Sequence, residues 1–206
     1  MQTNEVVCFI TIRSLNTDSF MFHTPNIDLT RLQAEAAEIP LIEWQTAGEE
    51  ERELDDLEDA IESAISRFKI EGVVSGAIQS VYQASRVQRI CNHFGIWSFN
   101  PLWLCDQEQY LHDLIEARFD VIIAGVFSEP FDETWLGRRI DLSFITHLLA
   151  IRNRYGISLT GEGGEYESFV CDGPLFHKKI RILADTKTYK NHHGRYLISR
   201  AELVEK

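Results

Sequence analysis

The sequence has 206 residues, of which 44% are hydrophobic and 25% are charged, and its formal net charge is −12 at pH 7. This length and composition suit a globular protein of one domain with at most a small appendage, and no apolar run approaches the roughly 18 residues that cross a bilayer. A chain this acidic is poorly suited to follow a nucleic-acid backbone, and no secretory signal follows Met1. We therefore expect a cytoplasmic protein with no direct contact to nucleic acid or membrane.

The spacing of cysteine and histidine argues against disulfides and structural zinc. The four cysteines, at positions 8, 91, 105 and 171, lie far apart and include no C-x-x-C pair. The seven histidines show no metal-ligand spacing. We predict free thiols that act as small hydrophobic groups, and no metal-binding residues.

Hydrophobic periodicity predicts alternating strands and helices through the first 129 residues. The predicted strands are Glu5–Ile12, Leu41–Gln45, Gly72–Ser75 (which opens into a small-residue loop at Gly76-Ala77), Ile96–Phe99 and Phe119–Val126. The predicted helices are Leu29–Ala36 with Asp28 as its N-cap, Glu50–Phe68, residues 81–94, and Gln107–Ala117. In helix 81–94 we expect Val81, Val87, Ile90, Cys91 and Phe94 to be buried.

Acidic residues are concentrated at the start of the helix that ends at Phe68. Nine of the fourteen residues from Glu49 to Glu62 are acidic. Such a run is usually a solvated helix face, and the acidic first turn suits the positive N-terminal end of the helix dipole. Binding of a basic partner is the alternative.

A different pattern follows Glu129-Pro130. Asp141 is placed to cap a helix from Leu142 to about Arg154, and the strands predicted after it are Ser168–Cys171, Lys179–Ile182 and Tyr196–Ile198. The alternation before this boundary predicts an α/β fold with a mainly parallel twisted sheet and flanking helices. A smaller C-terminal α+β part follows, so the predicted domains are residues 1–129 and 130–206.

The most distinctive segment is the run from Gly161 to Phe176, which begins Gly-Glu-Gly-Gly-Glu-Tyr-Glu. Glycines permit positive φ and a close approach of backbone N–H groups to a ligand. Carboxylates on such a loop can bind a cation, orient an amine or act as general bases. A solvated glycine-rich turn is the alternative interpretation of the G-E-G-G segment alone.

The whole run is similar to the signature of the diphthine–ammonia ligase family, which are ATP pyrophosphatases of the adenine-nucleotide α-hydrolase-like superfold. The resemblance covers roughly Glu5 to Phe176. Further matches follow in the family's order: Met21-Phe22-His23-Thr24, Leu32-Gln33-Ala34, Gly76-Ala77-Ile78, Tyr82-Gln83 with Arg86, and Asp132-Glu133-Thr134-Trp135-Leu136-Gly137-Arg138.

One family feature is missing from these 206 residues, the strand that ends in S-G-G-K-D-S and holds the ATP phosphates. In the superfold that strand lies at the centre of the sheet, between the strands assigned to Glu5–Ile12 and Gly72–Ser75. Its loss leaves two strand edges unpaired, and each unsatisfied buried backbone group costs about 1–3 kcal/mol. We therefore expect either a truncated version of a longer chain or another segment or subunit in the gap, including a homo-oligomer.

The resemblance implies an AMP-forming amide ligase. ATP, with Mg²⁺ on its phosphates, adenylates the carboxylate of diphthine, a modified histidine on a translation elongation factor. Ammonia then attacks the acyl-adenylate and gives diphthamide. Two alternatives are a non-catalytic paralogue or binding module that has lost the phosphate loop, and a related ATP pyrophosphatase with another substrate.

The resemblance also implies roles for individual residues. The implied catalytic residues are Glu162, Glu165 and Glu167. The implied substrate-binding residues are Gly163, Gly164, Tyr166, Trp135, Arg138, Tyr82 and Gln83, and the implied nucleotide-binding residues are Thr11, Ile12, Gly76, Ala77 and Arg86. The alternatives are a core tryptophan beside a surface arginine for Trp135 and Arg138, an exposed helix arginine for Arg86, and a tight strand-to-helix turn for Gly76-Ala77. Glu165 or Glu162 could accept a proton from ammonium or bind the trimethylammonium group of diphthine, and Tyr166 could offer that group its ring face. We expect Glu165→Gln to abolish amide formation with the thermal stability nearly unchanged.

Overall fold

The computed structural model describes residues 4–16, 22, 24–49 and 51–206. The chain divides into two compact units between Leu104 and Cys105. Met21 and His23, from one of the family-like segments, and Glu50, the predicted start of a helix, lie outside the described residues.

Strands and helices alternate in the first unit, as predicted. Its strands are β1 (Phe9–Ser14), β2 (Leu41–Thr46), β3 (Gly72–Val74) and β4 (Trp97–Phe99). Its helices are a 3-10 turn (Ile27–Leu29), α1 (Thr30–Ala37), α2 (Glu53–Phe68) and α3 (Val81–Phe94). Ser80 caps α3 by accepting a hydrogen bond from the Gln83 N–H, and Gly95 ends the helix in the left-handed region.

Both sheets of the first unit are short and parallel. Strand β1 pairs only with β2, and β3 pairs only with β4, among the residues that the structure describes. The predicted parallel sheet is thus present as two separate pairs of strands. A shared hydrophobic cluster lies against β1, α2 and α3; its buried members are Ile12, Leu54, Leu57, Ala60, Ile61, Val87, Ile90 and Cys91.

The second unit contains an antiparallel sheet. Its helices are α4 (Gln107–Glu116), a 3-10 turn (Glu133–Trp135) and α5 (Leu142–Tyr155). Its strands are β5 (Asp120–Val126), β6 (Tyr166–Asp172), β7 (Lys178–Lys190) and β8 (His193–Glu205), in the order β6-β5-β8-β7. Asp141 accepts a hydrogen bond of 2.7 Å from the Phe144 N–H, so the predicted cap of α5 is confirmed.

The prediction of a mainly parallel sheet was wrong for strand β5. It pairs antiparallel with β6 and with β8. Six consecutive residues, Val121 to Val126, are buried. A run buried on both faces is typical of parallel sheets, but the central strand of an antiparallel sheet that is covered on both sides has the same pattern.

The same pairing explains why the division between units precedes Glu129-Pro130. Both partners of β5 come later in the chain than this boundary, so β5 belongs to the second unit. Periodicity reports the type of an element and says nothing of its partner strands.

The β7–β8 hairpin is much longer than the short strands predicted there. Each strand has 13 residues, and the turn places Asn191 and His192 at φ 52° and 64°. Two central residues with positive φ are typical of a tight hairpin turn. Many residues of the ribbon are polar and exposed, which hides the strand signal in the sequence.

Three local predictions were wrong. Asp28 does not cap a helix; its carboxylate lies 2.8 Å from the Arg13 guanidinium, and the 3-10 turn leads into α1 instead. Val81 is 67% exposed because it is the first residue of α3 and precedes the part of the helix that packs on the core. Within the acidic run, Glu53 is buried at 2% exposure rather than solvated.

No helix in the described part of the chain has the length and apolarity to cross a membrane.

The four cysteines are free thiols, and Cys171 on β6 is the one most affected by its surroundings. Burial raises its pKa to about 12, and the nearby Asp120 carboxylate also raises this pKa. A buried thiol loses the hydration that favours the thiolate, so the neutral form is favoured in the folded protein.

This raised pKa predicts a stability change in alkali. The stability that the neutral Cys171 thiol contributes is fully present below the pKa of the unfolded thiol, near 8.5. It is lost as the pH rises towards the folded-state pKa of about 12. The difference in free energy of unfolding between the wild type and Cys171→Ala should therefore fall by about 1.4 kcal/mol per pH unit above about pH 9. Urea denaturation of both proteins at several pH values measures this, and parallel stability curves would contradict it.

Candidate functional site

The glycine-rich run forms a tight loop between α5 and β6. Gly161 and Gly164 have φ of 74° and 78°, and the Gly164 N–H donates a hydrogen bond of 2.9 Å to the Gly161 carbonyl. A Cβ on Gly161 would lie 2.5 Å from the carbonyl oxygen of Tyr166. Both the backbone angle and the close approach therefore require glycine at position 161.

The carboxylate of Glu165 holds this loop together. Its Oε1 accepts a hydrogen bond of 2.8 Å from the Ser158 N–H, and its Oε2 accepts one of 2.9 Å from the Gly163 N–H. A Cβ on Gly163 would fall 2.6 Å from Oε1. Glu165 thus organises the loop from within, and a nearly unchanged stability is no longer the expectation for Glu165→Gln.

Two residues that sequence reasoning missed complete the loop. The Oε1 of Gln107, at the start of α4, accepts hydrogen bonds from the Leu159 N–H at 2.8 Å and from the Ser158 hydroxyl at 3.2 Å. The Ser158 hydroxyl oxygen in turn accepts a hydrogen bond of 3.2 Å from the Glu162 N–H. A glutamine in the first turn of a helix carries no signal of this role, because its partner is about fifty positions away in the sequence.

Glu162 and Glu167 lie on either side of this organised loop. Both are half-buried. Burial raises the pKa of Tyr110, on α4, and the Cys105 and Glu162 side chains also raise it, so the Glu162 carboxylate lies near this phenol. Glu167 is on β6, directly opposite Gly125 of β5.

Tyr166 points to the opposite side and supports the loop from the core. It is 6% exposed, and its hydroxyl donates a hydrogen bond of 2.5 Å to the Leu159 carbonyl. Its ring meets Phe131 and Phe144 edge to face, with centroids 5.9 and 6.1 Å away. Burial raises the pKa of this phenol strongly. The ring face expected to receive a quaternary ammonium is therefore packed against core aromatics in this structure.

The structure joins Trp135 and Arg138 to the same aromatic cluster. Trp135 is 7% exposed and meets Phe131 and Phe144 at centroid distances of 5.0 and 5.3 Å. The Arg138 guanidinium lies 4.7 Å from the centroid of the Trp135 ring, and its Nη2 lies 2.6 Å from Nδ1 of His147. Trp135 is a core residue here, and Arg138 is a half-buried cation stacked on it.

The candidate nucleotide-binding residues lie in the first unit. Thr11 and Ile12 were expected at a strand end, but β1 continues to Ser14, and the two residues pair with Glu43 and Trp44 in mid-strand. Gly76 follows the end of β3, and a Cβ there would meet nothing within 4 Å. Its neighbour Ala77 is buried at 6% exposure. The backbone at Gly76 is thus open to a ligand, whereas that of Thr11 and Ile12 is engaged in β pairing.

Tyr82, Gln83 and Arg86 lie in the first two turns of α3, where a phosphate was expected. The Arg86 guanidinium stacks 3.4 Å from the centroid of the Tyr82 ring and forms an ion pair with Glu51. Its side chain is 21% exposed. An anion that binds Arg86 must therefore compete with the carboxylate of Glu51.

The loop before α3 lacks the composition of a phosphate-binding loop. The loop between β3 and the Ser80 cap offers one glycine, Gly76, and no glycine-rich cradle for phosphates. Within the ranges that the structure describes, no group of three or more His, Cys, Asp or Glu side chains is arranged to hold a metal ion.

Replacing Glu165 by Gln should destabilise the protein, since an amide nitrogen cannot accept the hydrogen bond that one carboxylate oxygen accepts now. We expect a loss of about 1–3 kcal/mol in the free energy of unfolding, the usual range for a charge-assisted hydrogen bond. Glu133→Gln, at an exposed position of the same unit, is the matched control. Thermal and urea denaturation of the two variants measure the difference, and equal stabilities would contradict this role of Glu165.

Two glycine substitutions in the loop separate backbone strain from steric overlap. Gly161→Ala and Gly164→Ala both place a side chain at positive φ, but a Cβ on Gly164 meets nothing within 4 Å. We expect Gly161→Ala to be more destabilising by at least about 1 kcal/mol, because a backbone oxygen cannot move aside as a flexible side chain does. Denaturation of both variants measures the difference, and a larger effect at Gly164 would show that the loop has another shape.

Comparison with known proteins places this loop in a family context. Residues 1–98 match the family model described as the diphthamide synthase N-terminal domain, and residues 106–204 match the diphthamide synthase C-terminal domain. The diphthine–ammonia ligase of Mus musculus is 33% identical over 183 residues, which are 83% of this chain and 68% of that protein.

Two further relatives show how much of the longer proteins the chain spans. The diphthine–ammonia ligase of Homo sapiens is 32% identical over 80% of this chain and 66% of its own length. That of Schizosaccharomyces pombe is 31% identical over 86% of this chain but only 31% of its own length. The chain thus spans about two thirds of the mammalian relatives and less than a third of the S. pombe protein. On these matches, which include both halves of the chain, it belongs to the diphthine–ammonia ligase family.

Proposed function

We propose that the protein catalyses the amidation of diphthine on a translation elongation factor. The carboxylate oxygen of diphthine attacks the α-phosphorus of ATP, and pyrophosphate leaves. The nitrogen of ammonia then attacks the acyl carbon, AMP leaves, and a proton is released from nitrogen, which gives the carboxamide. Relatives named diphthine–ammonia ligase, similar over both halves of the chain, support this proposal.

The observation that carries the proposal is the ordered loop around Glu165. Its carboxylate is engaged by two backbone N–H groups, so we assign Glu165 to shaping the loop. Glu162 and Glu167, half-buried at the two ends of the segment, are then the carboxylates assigned to the substrate. Fixed negative charge attracts both the quaternary ammonium of diphthine and an ammonium ion that must lose a proton before attack.

For the first unit we propose the adenine-nucleotide α-hydrolase-like fold and a role in ATP binding. The parallel pairs β1–β2 and β3–β4, both packed on one hydrophobic cluster, agree with this fold. Gly76 and Ala77 would lie beside adenine, and Arg86 would turn from Glu51 towards a phosphate. The remaining phosphate contacts, with Mg²⁺, come in this proposal from a strand and S-G-G-K-D-S loop outside the 206 residues. The setting proposed is the cytoplasm.

The test uses the natural full-length chain with an elongation factor that carries diphthine, Mg²⁺-ATP and ammonium. We expect ATP-dependent conversion of the carboxylate to the carboxamide, with one AMP released for each diphthamide formed. Mass spectrometry of the modified peptide measures this conversion. Glu162→Gln and Glu167→Gln should each lower kcat by about 100-fold or more if they act in the chemical step, while Glu133→Gln leaves it unchanged. Full activity in both variants would remove these carboxylates from the site, and hydrolysis of ATP with another acceptor would indicate a different substrate.

A binding module without ligase activity is the second candidate. It is favoured by the separation of β1–β2 from β3–β4 in the described residues. Calorimetric titration of the natural chain with Mg²⁺-ATP distinguishes the two. Heat of binding in the micromolar to millimolar range supports the ligase, and no binding supports a module that recognises the diphthine-bearing factor alone.

A further inference from the structure

Strands β7 and β8 are basic in a chain that is otherwise strongly acidic. Together they contain seven Lys and Arg residues and three Asp and Glu residues, whereas the whole chain contains 20 and 32. The excess charge of the hairpin is therefore opposite in sign to the net charge of −12. A local charge of this kind attracts negatively charged groups to one part of the surface.

The pairing register assigns each residue of the hairpin to one of two faces. Directly opposite residues project from the same face, and successive pairs alternate between the faces, also across the two bulges. One face carries Ile180, Gly194 and Tyr196, which are the buried residues of the two strands. The other face, which we call the open face, carries no buried residue, and all its members lie in the described part of the chain. Its pairs are Lys179–Val204, Arg181–Glu202, Ala184–Arg200, Thr186–Leu197, Thr188–Arg195 and Lys190–His193.

The open face holds most of the positive charge of the hairpin. Five of the seven cations lie on it, with one carboxylate, that of Glu202, whereas the other face holds two cations and two carboxylates. Arg195 is half-buried, and its guanidinium lies 5.9 Å from the centroid of the Phe127 ring. The other four cations of the open face are exposed: Lys179, Arg181, Lys190 and Arg200.

Three of these exposed cations are available to a partner. Arg181 forms an ion pair with Glu202. Within the ranges that the structure describes, Lys179, Lys190 and Arg200 form no ion pair. Cations without a counter-ion add nothing to the stability of the hairpin, so stability does not explain why they share one face. Lys179 and Lys190 are ten pairs apart, which is about 35 Å along the strands.

The turn end of the hairpin lies beside the glycine-rich loop. Val126 of β5 pairs with Tyr166 of β6 on one side and with Gly194 of β8 on the other. Neighbouring strands lie about 4.8 Å apart, so the Cα atoms of Tyr166 and Gly194 are about 10 Å apart. Lys190 and His193 form the last pair before the turn. The open face therefore begins next to the loop and continues away from it along the two strands.

We propose that the open face of the β7–β8 hairpin binds an acidic surface of the elongation factor that carries diphthine. This inference rests on the proposed function and deepens it, because a substrate side chain on a protein brings a protein surface to the loop. Since the rest of the chain is acidic, it would repel such a surface, and the open face would fix where the factor binds. A nucleic acid suits the open face less well, because three unpaired cations neutralise few phosphates and the acidic remainder repels the others.

The kinetic test removes the three unpaired cations from the natural full-length chain, in the triple variant Lys179→Gln/Lys190→Gln/Arg200→Gln. We expect KM for the diphthine-bearing factor to rise by about tenfold or more at low salt, because the loss of electrostatic steering slows association. The difference should shrink at about 0.5 M salt, where exposed charges are screened. The kcat, the KM for ATP and the Tm should stay unchanged. Equal effects on both KM values with a lowered Tm would show a structural role and overturn the inference.

A second triple variant controls for the net charge. It carries the same net charge as the first and leaves the open face intact. Its substitutions are at exposed positions outside the hairpin: Lys69→Gln, Arg118→Gln and Arg154→Gln. We expect its KM for the factor to stay close to the wild-type value. An equal rise in both triple variants would show that only the overall charge matters, and this result would also overturn the inference.

A binding experiment separates this inference from the proposed function. Fluorescence anisotropy measures the binding of the diphthine-bearing factor, a polyglutamate peptide and a single-stranded RNA, without any turnover. If the factor is bound but not converted, and only the first triple variant loses the factor and polyglutamate, the open face stands and the proposed function fails. If the factor is converted and both triple variants behave alike, the function stands and the inference is overturned. A preference of the open face for RNA over polyglutamate overturns the inference as well, as does the absence of both turnover and binding.

Discussion

The candidate site depends on the carboxylate of Glu165, which binds backbone N–H groups of its own loop. Glu165 accepts hydrogen bonds from the N–H group of Ser158, before the tight turn, and from that of Gly163, within it. Because successive residues of a strand point to opposite faces, this anchor also sets the direction of the next two side chains. Tyr166 enters the aromatic core, and Glu167 takes its place on the face that carries Gly125.

Local patterns predicted much of the fold. The bounds of α3 and the Asp141 cap of α5 followed from apolar spacing and capping chemistry, since both depend on contacts within a few residues. Strand partners did not follow. The apolar run that forms β5 is equally compatible with a parallel and an antiparallel sheet, and its antiparallel partners lie tens of residues away in the chain. That single ambiguity accounts for the prediction of a mainly parallel sheet.

The site shows the same limit. Glycines at positive φ and closely spaced glutamates marked the loop in the sequence, because those residue types are needed locally. The pattern could not show which groups each carboxylate binds. Glu165 is indistinguishable from its neighbours until the backbone donors around it are known. Gln107 and Ser158 join the site through contacts across about fifty residues of sequence, and such contacts leave no periodic or compositional signal.

The glycine at position 125 has a consequence for how the protein tolerates variation. It is buried, lies on the central strand β5, and carries no group that could bind or react. Any larger residue there would need room at a buried position between two paired strands, directly opposite Glu167 and Arg195. A saturation mutagenesis experiment scored on growth would then rank Gly125 beside the charged residues themselves. Position-specific intolerance in this protein would thus mark close packing of the backbone as well as functional atoms.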